Sequence, residues 1–164
     1  MIITKLEFIS KMNNACNEAD EKNIIYNQAV TFAQAALESN WGNSELAQKA
    51  NNLFAIKAGT SWKGEVVFLK GWEWNEHCSW FSRMEFWRKY GSWTDCILDY
   101  ANIIAGHSWF QDALPYIHDP SQFLKRLLPD GKNPGWATDP NYFQKVVQIG
   151  KQLANYGGPK WNLD

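Results

Sequence analysis

The spacing of apolar positions predicts helices along most of the chain. Between Ile24 and Leu37, apolar side chains recur every three or four residues, as they do on one face of an amphipathic helix. Gly42 follows closely and marks the end of that segment. The same spacing predicts four further helices, over residues 45–50, from about Thr94 to Ala105, from Pro120 to Leu128 and from Pro140 to Leu153.

Residues 62–90 have a different pattern, typical of a small β-lobe. Residues that favour strands fill Val66–Leu69 and Trp80–Phe81, and the Gly71–Cys78 segment separates them. This pattern predicts a strand, a polar turn and a return strand. We therefore expect an α+β, mainly helical fold. No repeat or long linker divides residues 1–164, so a single domain is predicted.

Charge and metal-ligand spacing exclude several classes of function. The net charge is −1, so electrostatics indicate neither nucleic acid nor an anionic membrane as the partner. No uninterrupted apolar stretch reaches roughly 18 residues, so no membrane insertion is expected. The histidines and cysteines form no HExxH or CxxC pattern, and no metal site is predicted. Three irregularly spaced cysteines predict free thiols in a reducing compartment: Cys16, Cys78 and Cys96.

Glu38 is the first candidate for chemistry. It ends an amphipathic segment and has Ala36, Leu37 and Trp41 as apolar neighbours in the sequence. A carboxyl group among such residues loses solvation in its charged form, so its pKa rises and it can donate a proton near neutral pH. The alternative from the local pattern alone is an exposed glutamate near a helix C-terminus.

Four ordered blocks resemble glycoside hydrolase family 73, the flagellar-type and autolysin-type glucosaminidases. Residues 32–42 look like the family's catalytic-acid helix, and residues 52–57 are similar to its Asn-Leu-Phe-Gly-Ile-Lys element, with Ala55 at the glycine position. Residues 62–64 and 137–142 resemble two later landmarks. The likeness extends over about residues 22–154, and four blocks in order are more specific than one short motif.

This resemblance implies a lysozyme-like layout, in which a helical lobe and a small hairpin lobe flank a substrate cleft. Glu38 would be the catalytic acid, and Glu73 falls where the family has its second carboxylate. Glu76 is the alternative, because an insertion could shift the register. Glu65 and Glu85 are weaker candidates from the same β-lobe.

The substrate contacts are expected from aromatic and polar residues near these blocks. Ten tryptophans exceed what a core of this size requires, and flat rings pack against sugar faces. Trp136 stands where the family has tyrosine, so it lacks a phenol hydroxyl. Asp139 is also interpreted as the cap of the last helix, and Tyr142 as a packing residue or groove wall. The predicted substrate-binding residues are Trp41, Asn52, Phe54, Lys57, Trp72, Trp74, Trp136, Asp139 and Tyr142.

By resemblance, the substrate is the glycan strand of peptidoglycan, and the enzyme is an endo-β-N-acetylglucosaminidase that requires no cofactor. A muramidase on the same scaffold is the first alternative, and a non-catalytic wall-binding module is the second. The separation of the two carboxyl groups would decide between retaining and inverting routes, and the substrate's own acetamido group offers a third.

The sequence also suggests where such a protein would be made. The N-terminal residues lack a basic leader followed by an apolar core, so we expect synthesis in a bacterial cytoplasm and later release to the wall. A phage endolysin or a delivered effector fits this expectation. A domain from a larger autolysin or flagellar protein is the alternative. We expect a monomer.

Overall fold

A computed structural model describes residues 2–74 and 80–161, with the side chains of residues 72–81 excluded. Six α-helices and one hairpin make up the regular structure of this part of the chain. Two 3₁₀ segments, Ser108–Tyr116 and Ala154–Tyr156, follow α4 and α6. The elements in order are α1 (Lys5–Asp20), α2 (Gln28–Glu38), α3 (Glu45–Ala50), β1 (Val66–Trp74), β2 (Trp80–Arg88), α4 (Trp93–Gly106), α5 (Pro120–Arg126) and α6 (Tyr142–Leu153).

Helix α2 lies at the centre of the helical part. Every residue from Ala29 to Ala36 is buried, because α5 and α6 both pack against this helix. Four alanines in that run keep the surface of the helix narrow, which lets its neighbours approach closely. Burial of the Phe32 ring stabilises the fold by about 1.5–3 kcal/mol relative to leaving it exposed.

The two ends of α2 are fixed by side chains. Asn27 accepts a hydrogen bond from Val30 N at 2.9 Å and donates to Ile117 O at 2.8 Å, so the helix begins at Gln28 and not at Ile24 as predicted. At the other end, Ser39 Oγ donates to Ala35 O and accepts from Gly42 N. Asn40, Trp41 and Gly42 have positive φ values of 50°, 56° and 78°, and this sharp turn leaves Glu38 as the last helical residue.

Helix α1 was not predicted from the sequence. A capping box of Thr4 and Glu7 begins it. Its buried face, which packs against α4, consists of Phe8, Ile9, Met12 and Cys16 together with two alanines. Because polar residues surround these few large side chains, the apolar stripe is weak in the sequence.

The hairpin is antiparallel, and its strands are longer than predicted. Phe68 pairs with Phe86, and β1 continues through Gly71 to Trp74, so the predicted turn begins too early. Only glycine fits at Gly71, because the Trp87 ring lies over this position: a Cβ there would be 2.4 Å from Trp87 Cζ2. The rest of the predicted turn, residues 75–78, lies outside the described residues.

The other predicted helices are confirmed with small changes at their ends. Helix α4 is one residue longer at each end than predicted, and α5 stops at Arg126. Helix α6 begins at Tyr142, after a turn that contains Pro140. The prediction that Asp139 caps α6 is wrong, because its carboxylate accepts from Asn141 N, in the preceding turn. The predicted α+β, mainly helical fold with one small hairpin is confirmed.

Candidate active site

A cleft of about 570 Å³ lies between the helical part and the hairpin. This volume is in the range of protein sites that hold small ligands. Five segments line it: the C-terminal end of α2, the 54–57 loop, Trp87 of β2, residues 103–110 at the end of α4, and residues 135–145 leading into α6. The lining residues are Leu37, Glu38, Phe54, Ala55, Ile56, Lys57, Trp87, Ile103, His107, Trp109, Phe110, Gly135, Trp136, Ala137, Thr138, Asp139, Tyr142 and Lys145.

Glu38 lines this cleft from the last position of α2. Its side chain is largely surrounded by protein, and this loss of solvation raises the carboxyl pKa from 4.5 to about 7. A hydrogen bond from Tyr142 and the charge of Lys145 act in the opposite direction, whereas Asp139 raises the pKa further. The group can therefore hold a proton near neutral pH and release it to a bound molecule.

A hydrogen-bonded chain of buried side chains supports Glu38 from behind. The Tyr142 hydroxyl donates to Glu38 Oε1 at 2.7 Å. Gln34 Nε2 donates to the Tyr142 hydroxyl oxygen at 3.1 Å, and Tyr100 donates to Gln34 Oε1 at 2.5 Å. Burial, with the nearby charge of Glu38, raises the pKa of Tyr142 well above its ordinary value, so this phenol stays a hydrogen-bond donor. These hydrogen bonds fix the orientation of the Glu38 carboxyl group.

An ion pair lies beside this carboxyl group. Lys145 Nζ is 2.5 Å from Asp139 Oδ2. Partial burial would raise the pKa of Asp139, but the bonds from Lys145 and Asn141 outweigh it and hold the pKa below its usual value. Asp139 is therefore ionised throughout the pH range in which Glu38 titrates. It supplies the negative charge that helps to keep Glu38 neutral.

The 52–57 loop forms one wall of the cleft, and Asn52 holds it in place. The buried amide of Asn52 accepts from Ile56 N at 3.0 Å and donates to Ile56 O and Arg88 O at 2.9 and 2.8 Å. Between these anchors, Phe54 stacks on Tyr100 with ring centroids 4.1 Å apart. Ala55 has a φ of 51°, in the left-handed region that favours the glycine of the family element.

The hairpin contributes a second wall through Trp87. Its ring is 5% exposed, and its Nε1 donates to Leu69 O at 3.1 Å across the two strands. Lys57 Nζ lies 5.9 Å from the centre of this ring and 3.8 Å from Glu85 Oε1. Glu85, a weaker candidate for the second carboxylate, is thus paired with Lys57, which lines the cleft. Glu65, the other weak candidate, is paired with Lys89 at the surface.

Several aromatic residues of the cleft were not predicted as site residues. Trp109 is 48% exposed and contacts the His107 ring in a tilted arrangement, with ring centroids 4.5 Å apart, on the side of the cleft formed by the end of α4. Trp87 and Phe110 also line the cleft. The excess of tryptophan was the one sequence signal for this surface. No local pattern connects residues 107–110 to Glu38, because only the tertiary fold brings them together.

The structure brings together six of the predicted site residues in one cleft: Glu38, Phe54, Lys57, Trp136, Asp139 and Tyr142. Trp136 also makes an edge contact with Tyr100, with centroids 5.0 Å apart.

Two predicted substrate contacts lie elsewhere. Trp41 turns away from the cleft and packs against Phe8 and Tyr156, with Lys5 Nζ 4.5 Å from its ring, so the prediction that it binds substrate is corrected to packing. The side chain of Asn52 is 1% exposed, and the backbone bonds above occupy it, so its predicted substrate contact is also corrected.

The remaining predictions fall on the tip of the hairpin. The backbone of Trp72, Glu73 and Trp74 belongs to β1, but their side chains lie outside the described residues, as does all of Glu76. The predicted second carboxylate therefore stays a prediction.

The part of the chain that the structure describes has neither a candidate metal site nor a candidate membrane-spanning helix. Within residues 2–74 and 80–161, no three His, Cys, Asp or Glu side chains are grouped so that they could hold a metal ion. Among the helices described, none combines the length and the apolar character that crossing a bilayer requires.

Known proteins resemble this chain in sequence and in fold. It is 33% identical over 154 residues to the peptidoglycan hydrolase FlgJ of Pseudomonas aeruginosa, a match of 92% of this chain and 37% of the relative. It is 36% identical over 122 residues to the exo-glucosaminidase LytG of Bacillus subtilis, a match of 74% of this chain and 42% of the relative. The chain thus spans about two fifths of the length of these relatives.

A solved structure confirms the arrangement. A mutant of a peptidoglycan hydrolase from Sphingomonas sp. A1 superposes with a TM-score of 0.75 at 27% identity, covering 91% of this chain and 94% of that one. The predicted lysozyme-like layout, with a cleft between helices and hairpin, is confirmed. The family described as mannosyl-glycoprotein endo-beta-N-acetylglucosaminidase matches residues 13–155, so this chain belongs to the glucosaminidase family.

Proposed function

We propose that this chain hydrolyses the β-1,4-linked glycan strand of peptidoglycan, with Glu38 as the general acid. The observation that carries the proposal is a desolvated carboxyl group, with a pKa of about 7, in a cleft lined by aromatic rings. Two relatives are named peptidoglycan hydrolase and exo-glucosaminidase, which supports a wall glycan as substrate.

The surroundings of Glu38 suit both halves of a proton transfer. Before the transfer, desolvation and the charge of Asp139 favour the protonated acid. When the proton passes to the glycosidic oxygen, the Tyr142 hydroxyl and the Lys145 ammonium stabilise the carboxylate that forms. The group is therefore suited to acting as the acid and, on a retaining route, as the base of the second step.

The bond that we propose is cleaved lies on the reducing side of N-acetylglucosamine, which makes the enzyme an endo-β-N-acetylglucosaminidase. Family membership supports this choice. A muramidase would cut the alternate bond with the same acid on the same scaffold.

The second carboxylate of the reaction is proposed to be Glu73, with Glu76 as the alternative, on the basis of the family register. Activity of Glu73→Gln and Glu76→Gln variants on purified walls tests this assignment. We expect Glu73→Gln to lose most of the activity and Glu76→Gln to keep it. The opposite result assigns the role to Glu76, and two active variants reject both.

The chemical ends of the products test the proposed activity directly. Purified peptidoglycan is digested, the new reducing ends are reduced with borohydride, and the fragments are analysed by mass spectrometry. Reduced N-acetylglucosamine at the termini is the expected result. Reduced muramic acid would assign a muramidase instead. Binding to walls without any new reducing end would indicate the non-catalytic module.

Synthesis in a bacterial cytoplasm, followed by release to the wall from a phage or by a delivery machine, is proposed for this protein. Free, buried thiols at Cys16 and Cys96 support a reducing compartment. Burial raises the pKa of Cys16 to about 12, which makes that thiol unreactive. Thiol titration of denatured protein purified without reductant should give three thiols per chain, and a smaller number contradicts the proposal.

A further inference from the structure

We propose that Gln34 is a positioning residue that sets the direction of the buried hydrogen-bond chain, so that the acid proton of Glu38 is held on Oε2 and is available to the substrate. This inference rests on the proposed function of Glu38 as an acid. It adds a residue that does not touch the substrate but decides which carboxyl oxygen carries the proton.

The direction in which these hydrogen bonds run follows from the donor and acceptor groups of the side chains that form them. Tyr100 and Tyr142 have hydroxyl groups that both donate and accept, so either could point in either direction. The amide of Gln34 has one end that only accepts and one that only donates, so it alone imposes a direction. Gln34 is completely buried, so bulk water does not offer its amide other partners.

The two distances at Gln34 assign its amide ends. The contact of 2.5 Å to Tyr100 is in the range of an O–H to O hydrogen bond, whereas the contact of 3.1 Å to Tyr142 fits an N–H donor. The oxygen therefore faces Tyr100 and the NH₂ group faces Tyr142. A flipped amide would place a neutral N–H donor at the 2.5 Å contact, which is shorter than such N–H to O bonds ordinarily are.

This assignment determines where the proton of Glu38 lies. Because Gln34 donates to the Tyr142 oxygen, the hydroxyl hydrogen of Tyr142 must find another acceptor, and Glu38 Oε1 at 2.7 Å is the acceptor within the described chain. Oε1 thus accepts a hydrogen bond in both protonation states of Glu38. The proton must then be on Oε2, the oxygen that Tyr142 does not hold.

Removing the Gln34 amide changes no charge around Glu38. Tyr142 and Lys145 of α6 and Asp139 before it act on Glu38 directly. Lys57 and His107 line the same cleft from the 54–57 loop and from the residue after α4. All of these groups remain in a Gln34→Met variant, which keeps the length of the side chain and removes its hydrogen bonds.

Without the amide, Tyr142 can accept a proton from Glu38 as well as donate to it. The protonated acid then gains an unproductive form with its proton on Oε1. We expect kcat of Gln34→Met to fall about five- to tenfold, the effect of one hydrogen bond, with KM unchanged. The pKa of Glu38 should rise by about half a unit to one unit, since its neutral form gains a partner. Gln28→Met, the same substitution at the exposed start of α2, is the matched control and should leave both quantities unchanged.

Two readouts separate this inference from the proposed function. The alkaline limb of the kcat profile reports the pKa of the acid during turnover, and carbon-13 NMR of the Glu38 carboxyl group reports it without any activity. Tyr100→Phe provides a second variant, because it releases the oxygen end of the amide. It should shift the pKa in the same direction, and the double variant should exceed neither single one by much.

Each outcome decides the question. If folded Gln34→Met and Tyr100→Phe keep the wild-type pKa of Glu38 and a kcat within about twofold, the positioning role is wrong. Loss of thermal stability without a pKa shift would likewise reduce Gln34 to a packing residue. If the wild-type protein cleaves no wall glycan, the proposed function fails, and the NMR titration still tests the hydrogen-bond chain.

Discussion

The hydroxyl of Tyr142 donates to Glu38 Oε1 over 2.7 Å and joins two residues that are 104 positions apart in the chain. The bond exists because α6 packs against α2, so the position of the Glu38 carboxyl group depends on helix packing as well as on the turn that ends α2. Any substitution that loosens this packing should change the chemistry of Glu38 before it unfolds the protein.

Replacing Tyr142 with phenylalanine should raise the pKa of Glu38. The lost hydrogen bond stabilises the ionised carboxylate, and one bond to a charged group corresponds to about one pKa unit or more. The alkaline limb of kcat should therefore move to higher pH by about that amount. A pH–rate profile on soluble glycan fragments measures the shift. An unchanged or lowered limb would show that this bond does not control the acid.

The raised pKa of Glu38 also predicts how stability depends on pH. In the unfolded chain the carboxyl group titrates near 4.5, and in the folded protein near 7. Between these values the folded state keeps a proton that the unfolded state has lost, so the free energy of unfolding falls as pH rises. Below 4.5 the contribution of the neutral group is complete, and above about 7 it is lost.

Glu38→Gln should remove this dependence, because an amide does not titrate. Urea unfolding of both proteins at pH 5 and pH 8 gives the comparison. The stability advantage of the variant should be larger at pH 8 than at pH 5. An equal difference at the two values would show that Glu38 is not desolvated in the folded protein.

Trp136 and Trp41 should behave differently, because one lines the cleft and the other packs against α1 and Tyr156. Trp136→Ala removes an aromatic surface for a sugar ring, so KM should rise about tenfold. Trp41→Phe should lower stability by about 1 kcal/mol and leave KM unchanged. Steady-state kinetics and thermal unfolding of both variants check the contrast. A raised KM for Trp41→Phe would return that residue to the binding site.

Ala55 should be replaceable by glycine with a gain in stability. Its φ of 51° is in a region that costs most residues about 1–2 kcal/mol, part of which the greater freedom of glycine in the unfolded chain offsets. We expect Ala55→Gly to stabilise the protein by about 0.5–1 kcal/mol in urea unfolding. Ala47→Gly in helix α3 is the matched control and should destabilise by about 1 kcal/mol. Equal effects at both positions would contradict the strain at Ala55.

The sequence predicted those parts of the fold that depend on local patterns. Helices α2 to α6 carry strong apolar faces or clear caps, and each was found within a few residues of its predicted bounds. Helix α1 has a stripe of few large residues, and the strength of its burial comes from α4, far along the chain. The predicted turn begins at Gly71, but this glycine lies within β1, where Trp87 of the other strand packs over it. A contact between two strands has no local signal in the sequence, so the predicted hairpin is too short.

The candidate active site shows the same division between local and tertiary signals. Glu38 could be identified as a candidate because its position at a helix end is local. Trp41 and Asn52 are close to Glu38 in sequence, yet the left-handed turn after α2 directs Trp41 away from the cleft. The side-chain amide of Asn52 forms hydrogen bonds with the backbone of the 52–57 loop and so does not face the cleft. Gln34 and Trp109 could not be predicted as site residues, because their partners come from α4, α6 and the 133–136 segment.

The most direct test of the account is the activity of Glu38→Gln on purified peptidoglycan, measured as new reducing ends at pH 6. The variant has nearly the same shape and lacks the proton that the acid must donate. With its fold and its binding to walls unchanged, we expect its rate to fall at least about a hundredfold. A rate within a few-fold of the wild-type protein would contradict the assignment of Glu38 as the catalytic acid.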